Sequence, residues 1–154
     1  MSFGIFSVPP AVNEKVRSYA PNSPEALSLK EVLHDLRQRV VEVPMFIGGR
    51  EVHSKQTRRM APPHDHAHTL GHFHEGSASH VEAALAAKPT WEALPWEQRA
   101  AVFLRMADLL AGPYRDLINA ATMLGQSKNP YQAEIDAACE LIDFFRFNVR
   151  YMTE

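Results

Sequence analysis

The last quarter of the chain carries a broad apolar stripe, and this stripe constrains the fold more than any other feature. After Asn129-Pro130, with Gln132 placed to complete a cap, apolar residues recur every three or four positions as far as Tyr151, the spacing of one helix face. The stripe consists of Tyr131, Ile135, Ala138, Ile142, Phe145 and Val149, and Leu141 and Phe144 widen it. Because so wide a face needs a large partner surface, we expect one long helix that covers a sheet in the complete fold.

Residues 23–76 predict a helix followed by a small β section. Ser23 is a suitable N-cap and Pro24 a suitable first helical residue, so we expect an amphipathic helix over residues 24–39. Two short β-prone runs flank Gly48-Gly49 and predict a hairpin, because a two-residue hairpin turn requires positive φ angles. The residues up to 76 read as further strand and loop.

Three more helical segments precede the apolar stripe. Ser79 and Glu82 match the S-x-x-E capping box and predict the start of the first segment, which Pro89 should end or kink early. The other two are expected over residues 95–111 and 114–124, before Gly112-Pro113 and Gly125 respectively. The expected fold class is therefore mainly α with a small antiparallel β section.

Composition excludes several classes of partner. The 154 residues carry a formal charge of −2, and the small basic cluster Arg50, Lys55, Arg58 and Arg59 reads as a solvated face, so no nucleic acid is expected. No apolar run reaches the roughly 20 residues of a membrane span, and no targeting segment is recognised. The single cysteine, Cys139, fits a reducing compartment. We expect a cytoplasmic bacterial protein that binds no membrane.

The stretch PPHDHAHTLGHFHEG is rich in histidine. On an extended strand, His64, His66 and His68 would point to one side, with His72 and His74 returning nearby. The spacing matches no closed structural zinc signature, however, and the adjacent prolines and glycine obscure the strand register. We therefore predict no specific metal ligand here. The remaining histidines are read as isolated surface residues: His34, His53 and His80.

The single cysteine, Cys139, carries the most nucleophilic kind of side chain, but we interpret it as a structural residue. Cys139 lies inside the last predicted helix near Asp136, Glu140 and Asp143, whose negative charges raise a thiol pKa. We interpret it as a small buried packing residue. These acids and Glu134 are interpreted as a solvated helix face. No glycine-rich phosphate loop is present, so no catalytic residue and no cofactor-binding residue is predicted.

Longer motifs carry a family resemblance. The run GQSKNPYQAEIDAACELIDFFRFN and the segments VNEKVRSYAPNSPE and MFIGGREV resemble the N-terminal part of the L-glutamate γ-semialdehyde (1-pyrroline-5-carboxylate) dehydrogenases, within the aldehyde dehydrogenase superfamily. The resemblance covers about residues 12–151. It implies the N-terminal part of an aldehyde dehydrogenase α/β fold, divided into an arm (1–22), a helix and β-hairpin section (23–76) and an incomplete helical part of the NAD-binding domain (77–154).

The resemblance also implies a chemistry. In that family a cysteine thiolate attacks the aldehyde, hydride passes to NAD, and a glutamate-activated water hydrolyses the thioester. The corresponding residues belong to the missing C-terminal portion of the dehydrogenase, which is the expected partner, and Cys139 does not match the nucleophile's motif. The complete enzyme is expected to bind NAD and to form a homo-oligomer, whereas this chain alone should bind no NAD.

One substrate-binding residue is implied. The family's pocket includes a glutamate on the helix that AEIDAACELIDFF resembles, and the matching residue is Glu140. Its carboxylate is expected to hold the substrate's ammonium group. Two alternatives remain: a helical interaction module that docks through the last helix, and a His-rich metal-binding module that uses residues 64–74.

Overall fold

The computed structural model describes residues 4–154, so the first three residues of the predicted arm lie outside the described residues. After an arm without helix or strand, helix α1 (Pro24–Gln38) leads into five short strands. They are β1 (Val41–Val43), β2 (Met45–Ile47), β3 (Arg50–Val52), β4 (Thr57–Met60) and β5 (Gly71–His74). The helical part follows as α2 (Ala78–Glu92), α3 (Trp96–Ala111), α4 (Arg115–Gln126), α5 (Pro130–Ala133), a π-helical segment (Glu134–Cys139) and α6 (Glu140–Met152).

The strands form two small sheets. β2 and β3 form the predicted antiparallel hairpin, with φ +57° at Gly48 and +77° at Gly49. In the second sheet β5 lies in the centre, antiparallel to β4 and parallel to β1. The expectation of a mainly helical fold with a small β section is confirmed, and the parallel pairing makes the three-stranded sheet mixed.

The helices pack in two pairs, α1 against α4 and α3 against α6. Ala107, Ala138 and Ile142 form the centre of the buried core, where small alanine side chains let α3 approach the last helix closely. The apolar stripe is only partly covered, since Phe144 remains 59% exposed and Tyr151 61% exposed. None of the helices in residues 4–154 is both long and apolar enough to span a bilayer.

The predicted start of α2 and the predicted end of α2 at Pro89 are both wrong. Its N-cap is Ser77, with His80 at the third helical position completing the capping box, so the box lies two residues before the predicted Ser79 and Glu82. His80 is therefore a capping residue rather than an isolated surface histidine. Pro89 lies inside the helix, which continues to Glu92. The helix is on the surface and has no buried residue, so a local distortion at the proline would disturb little tertiary packing.

The extended arrangement considered for His64, His66 and His68 does not form, whereas the prediction of strand and loop up to residue 76 is confirmed. These residues lie in turns, closed by hydrogen bonds from Asp65 N–H to Pro62 O (3.1 Å) and from His68 N–H to Asp65 O (3.1 Å). Pro62 and Pro63 lack N–H donors and cannot continue a strand ladder. The chain therefore loops out between β4 and β5.

Candidate functional site

A buried ion pair joins α4 to the π-helical segment. The Arg115 guanidinium donates to the Glu134 carboxylate through both Nε and Nη2. The side chain of Glu134 is fully buried, and that of Arg115 is 2% exposed. The interpretation of Glu134 as part of a solvated face is therefore wrong. The sequence contained a signal for this burial, because Glu134 lies four residues before Ala138 and is therefore on the apolar stripe itself.

The same pair holds the N-terminal arm in place. Glu134 accepts hydrogen bonds from the Arg17 backbone N–H (2.7 Å) and the Tyr19 hydroxyl (2.9 Å), while Arg115 donates to Glu14 (2.6 Å) and to the Lys15 carbonyl (2.7 Å). A buried charge is tolerated only when its hydrogen-bonding capacity is filled. The arm thus supplies the remaining hydrogen bonds to a charge pair that the helices bury.

These contacts perturb the ionisable groups. Burial by itself raises the pKa of Glu134, but the hydrogen bonds from Arg115, the Arg17 N–H, Asn119 and Tyr19 outweigh it and hold the pKa below its usual value. Burial, reinforced by Glu134, raises the pKa of Tyr19 to about 12. Glu134 is therefore a permanent anion at neutral pH, with a structural role.

Cys139 is buried, as expected, and unsuited to nucleophilic attack. Burial and then the charge of Glu134 raise the pKa of its thiol to about 11. The sequence reasoning attributed this effect to the nearer acids Asp136, Glu140 and Asp143, of which only Asp143 contributes clearly. Asp143 is half-buried and accepts hydrogen bonds from Asn13 (2.8 Å) and the Glu14 backbone N–H (2.6 Å).

Glu140 stands directly after the π-helical segment, at the start of α6. Its backbone N–H bonds to the Ile135 carbonyl, five residues earlier, so the helix is wider here than an α-helix. Such insertions are frequent at functional sites because they turn the following side chains relative to the preceding turn. All six residues of EIDAAC are compatible with an α-helix, and the sequence contained no signal for the insertion.

The Glu140 carboxylate borders two surface concavities. One, of about 470 Å³, is also lined by Asn13, Asp143, Phe147 and Tyr151. The other, of about 390 Å³, lies toward α4, and Phe144 lines both. Among residues 4–154 no group donates a hydrogen bond to this carboxylate, which is exposed. A free carboxylate between aromatic side chains can hold an organic cation such as an ammonium group.

The histidines of residues 64–74 do not converge. Arg59 holds their loop by donating to the carbonyls of His66 (2.9 Å) and His68 (3.2 Å). His64 instead reaches α4 and contacts the Ser127 hydroxyl at 2.7 Å. The five histidines therefore form no joint site in the described part of the chain.

A different group of potential ligands does converge. His74 on β5 meets Glu42 of β1 (Nε2 to Oε1, 2.7 Å) and His53, just after β3 (Nε2 to Nδ1, 3.1 Å). The interpretation of His53 as an isolated surface residue is wrong, since only half of its side chain is exposed and its ring packs edge-on against that of His74. The hydrogen bond that Nε2–H of His74 donates to Glu42 raises the pKa of the histidine and lowers the pKa of the carboxyl.

Comparison with known proteins assigns the chain to a family. Residues 51–154 match the aldehyde dehydrogenase family. The chain is 51% identical over 97% of its length to the Delta-1-pyrroline-5-carboxylate dehydrogenase of Agaricus bisporus and 43% identical over 92% to the mitochondrial enzyme of Homo sapiens, spanning 28% and 26% of those proteins. The Delta-pyrroline-5-carboxylate dehydrogenase of Mycobacterium tuberculosis, in a structure bound with NAD, superposes with a TM-score of 0.91 at 49% identity, covering 98% of this chain and 29% of that one. The chain belongs to the aldehyde dehydrogenase family.

Proposed function

We propose that the chain forms the N-terminal segment of an NAD-dependent dehydrogenase that oxidises L-glutamate γ-semialdehyde, formed from 1-pyrroline-5-carboxylate, to glutamate in proline degradation. The observation that carries the proposal is the 51% identity over 97% of the chain to a dehydrogenase of that name. The chain spans about 28% of that relative, so its working partner is the remainder of the dehydrogenase, and alone it is inactive.

NAD belongs to the complete enzyme in this proposal. When bound, it accepts the hydride from the substrate. The turn from β5 into α2 does not fit its pyrophosphate, because it carries Glu75 and a single glycine, Gly76, rather than a glycine-rich loop. We assign the NAD contacts to other parts of the longer protein.

The role proposed for Glu140 is to bind the substrate's ammonium group. This role is supported by the free carboxylate of Glu140 between two concavities. The π-helical segment just before Glu140 positions it, and the buried Arg115–Glu134 pair anchors that segment. The exposed aromatic residues of α6 fit the same proposal, since a larger enzyme would cover them. Residues 77–154 would then be the helical part of an NAD-binding domain in a homo-oligomeric enzyme of the bacterial cytoplasm.

A chimera tests the function directly. In the Agaricus bisporus dehydrogenase, the segment that aligns with this chain is replaced by the chain itself, and NADH formation from glutamate semialdehyde is followed by absorbance. We expect turnover by the chimera and none by the 154-residue chain alone. A folded but inactive chimera, or turnover by the isolated chain, contradicts the proposal.

The role of Glu140 is tested in the same chimera. Glu140→Gln removes one charge-assisted hydrogen bond, so we expect KM for the semialdehyde to rise roughly tenfold or more. The matched control is Glu31→Gln, which alters an exposed acid on α1 and should leave KM unchanged. Equal KM values for both variants would remove Glu140 from the substrate site.

A further inference from the structure

Three ligand atoms, from β1, from the residue after β3 and from the last residue of β5, meet beside the mixed sheet. They are Oε1 of Glu42, Nδ1 of His53 and Nε2 of His74, at mutual distances of 2.7, 3.1 and 3.4 Å. In a tetrahedral zinc site with bonds of about 2.0–2.1 Å, neighbouring ligand atoms lie about 3.3–3.4 Å apart. An ion placed about 1 Å out of the plane of the three atoms would lie within bonding distance of each.

Protons alone satisfy this arrangement poorly. Nε2–H of His74 and Nδ1–H of His53 can both point to Oε1 of Glu42, at 2.7 and 3.4 Å, but the two protons then crowd between nitrogens only 3.1 Å apart. A divalent cation accepts all three lone pairs at once. Two imidazole nitrogens and one carboxylate oxygen are the donor set of His₂Glu catalytic zinc sites and of related first-row metal sites.

The surroundings of His74 allow the tautomer that a metal site requires. Nδ1 of His74 lies 2.9 Å from both the carbonyl oxygen and the backbone nitrogen of Ser54, and when Nδ1–H donates to the carbonyl the Nε2 lone pair is free for an ion. The side chain of His74 is only 5% exposed, which fixes its ring, whereas those of His53 and Glu42 are 50% and 63% exposed. The site is therefore rigid on one side and open to solvent on the other.

We propose that Glu42, His53 and His74 bind a divalent first-row transition metal ion such as Zn²⁺, with water completing the coordination. The ion would tie the β2–β3 hairpin, through His53, to the three-stranded sheet. This site shares only His74 with the histidine-rich stretch, since His64, His66, His68 and His72 are not part of it, and it does not depend on the proposed dehydrogenase activity.

The test is calorimetric titration of the full chain with Zn²⁺ near neutral pH, with Co²⁺ absorbance reporting the ligand set. We expect one equivalent to bind and to raise the melting temperature. Because loss of an outer-shell partner alone weakens metal binding 10–100-fold, His53→Ala and His74→Ala should each raise Kd at least about tenfold. Glu42→Gln should do the same.

Two controls separate this site from the other histidines. His34→Ala changes an exposed histidine on α1, and the triple variant H64A/H66A/H68A removes the loop histidines; neither should alter Kd. If His74→Ala fails to fold by circular dichroism, the half-exposed His53→Ala decides the result. The proposal is overturned if the full chain shows no saturable binding, if His53→Ala binds as tightly as the parent, or if only the triple variant loses the ion.

Discussion

Replacing Arg115 with methionine tests the claim that the buried charge pair holds the arm and the helices together. Methionine keeps much of the aliphatic stem but removes the guanidinium, which serves Glu134, Glu14 and the Lys15 carbonyl. Glu134 is then a fully buried anion without its cation. The remaining donors, Tyr19, Asn119 and the Arg17 N–H, stabilise it only in part.

The expected loss is large. Removing one partner of a buried ion pair costs about 3–5 kcal/mol, because the other charge stays desolvated. For a chain of 154 residues this corresponds to a fall in Tm of roughly 6–20 °C. The matched control is Arg17→Met, whose guanidinium lies 3.5 Å from Asp116 and is 35% exposed. This contact is long and only partly buried, so its loss should cost no more than about 1 kcal/mol.

The assay is urea unfolding at neutral pH, followed by far-UV circular dichroism for the parent, Arg115→Met and Arg17→Met. The reasoning is refuted if Arg115→Met is destabilised no more than Arg17→Met. If Arg115→Met is unfolded without urea, Glu134→Gln provides the comparison. It keeps the acceptor oxygen, removes the buried anion and should unfold at a lower urea concentration than Arg17→Met.

Three further predictions concern other groups. The folded pKa of Glu134 lies below its ordinary value of 4.5, so the unfolded chain binds more protons in acid than the folded chain does. The contribution of Glu134 to stability is therefore complete above about pH 4.5 and is lost as the pH falls through the folded pKa. Urea unfolding midpoints measured across this pH range should show the loss. Cys139, with its thiol pKa near 11, should resist thiol reagents at pH 8 until the chain is unfolded. Gly71→Ala should disrupt the β1–β5 pairing, because its Cβ would collide with the Val41 carbonyl, whereas Gly125→Ala, in open space on α4, should stabilise by about 0.5–1 kcal/mol.

Each of these predictions has a contrary outcome. A Glu134→Gln variant that loses stability in acid as steeply as the parent would assign the acid sensitivity to another group. Stoichiometric modification of the native thiol would contradict the burial of Cys139. A Gly71→Ala variant as stable as Gly125→Ala would show that β1 and β5 do not approach as closely as described.

Local signals predicted the helices and the hairpin well. Ser23-Pro24 and Asn129-Pro130 begin helices where expected, and Gly48-Gly49 forms the turn. α4 begins and ends within two residues of its predicted bounds, since its C-cap is Ser127, with φ +57°, rather than Gly125. These features depend on residues a few positions apart, so the sequence pattern contains them.

Pairing between distant residues was not predictable in this way. Arg115 and Glu134 are on different helices, and His53 meets His74 only because β5 pairs with both β1 and β4. Periodicity reports which face of an element is apolar, but not which polar groups are brought together when the faces pack. An acid on an apolar stripe, as at Glu134, is a usable warning that a buried cation lies nearby.

The arm that closes over the Arg115–Glu134 pair has a consequence for biosynthesis. Glu14 and Arg17 leave the ribosome early, yet the residues that receive them are made about a hundred positions later. Local helices form in microseconds, far faster than the chain elongates, whereas contacts between distant positions must wait for synthesis. Docking of the arm is thus a late, ordered event, and protection of residues 13–19 from a protease would report that the nascent helices downstream have already assembled.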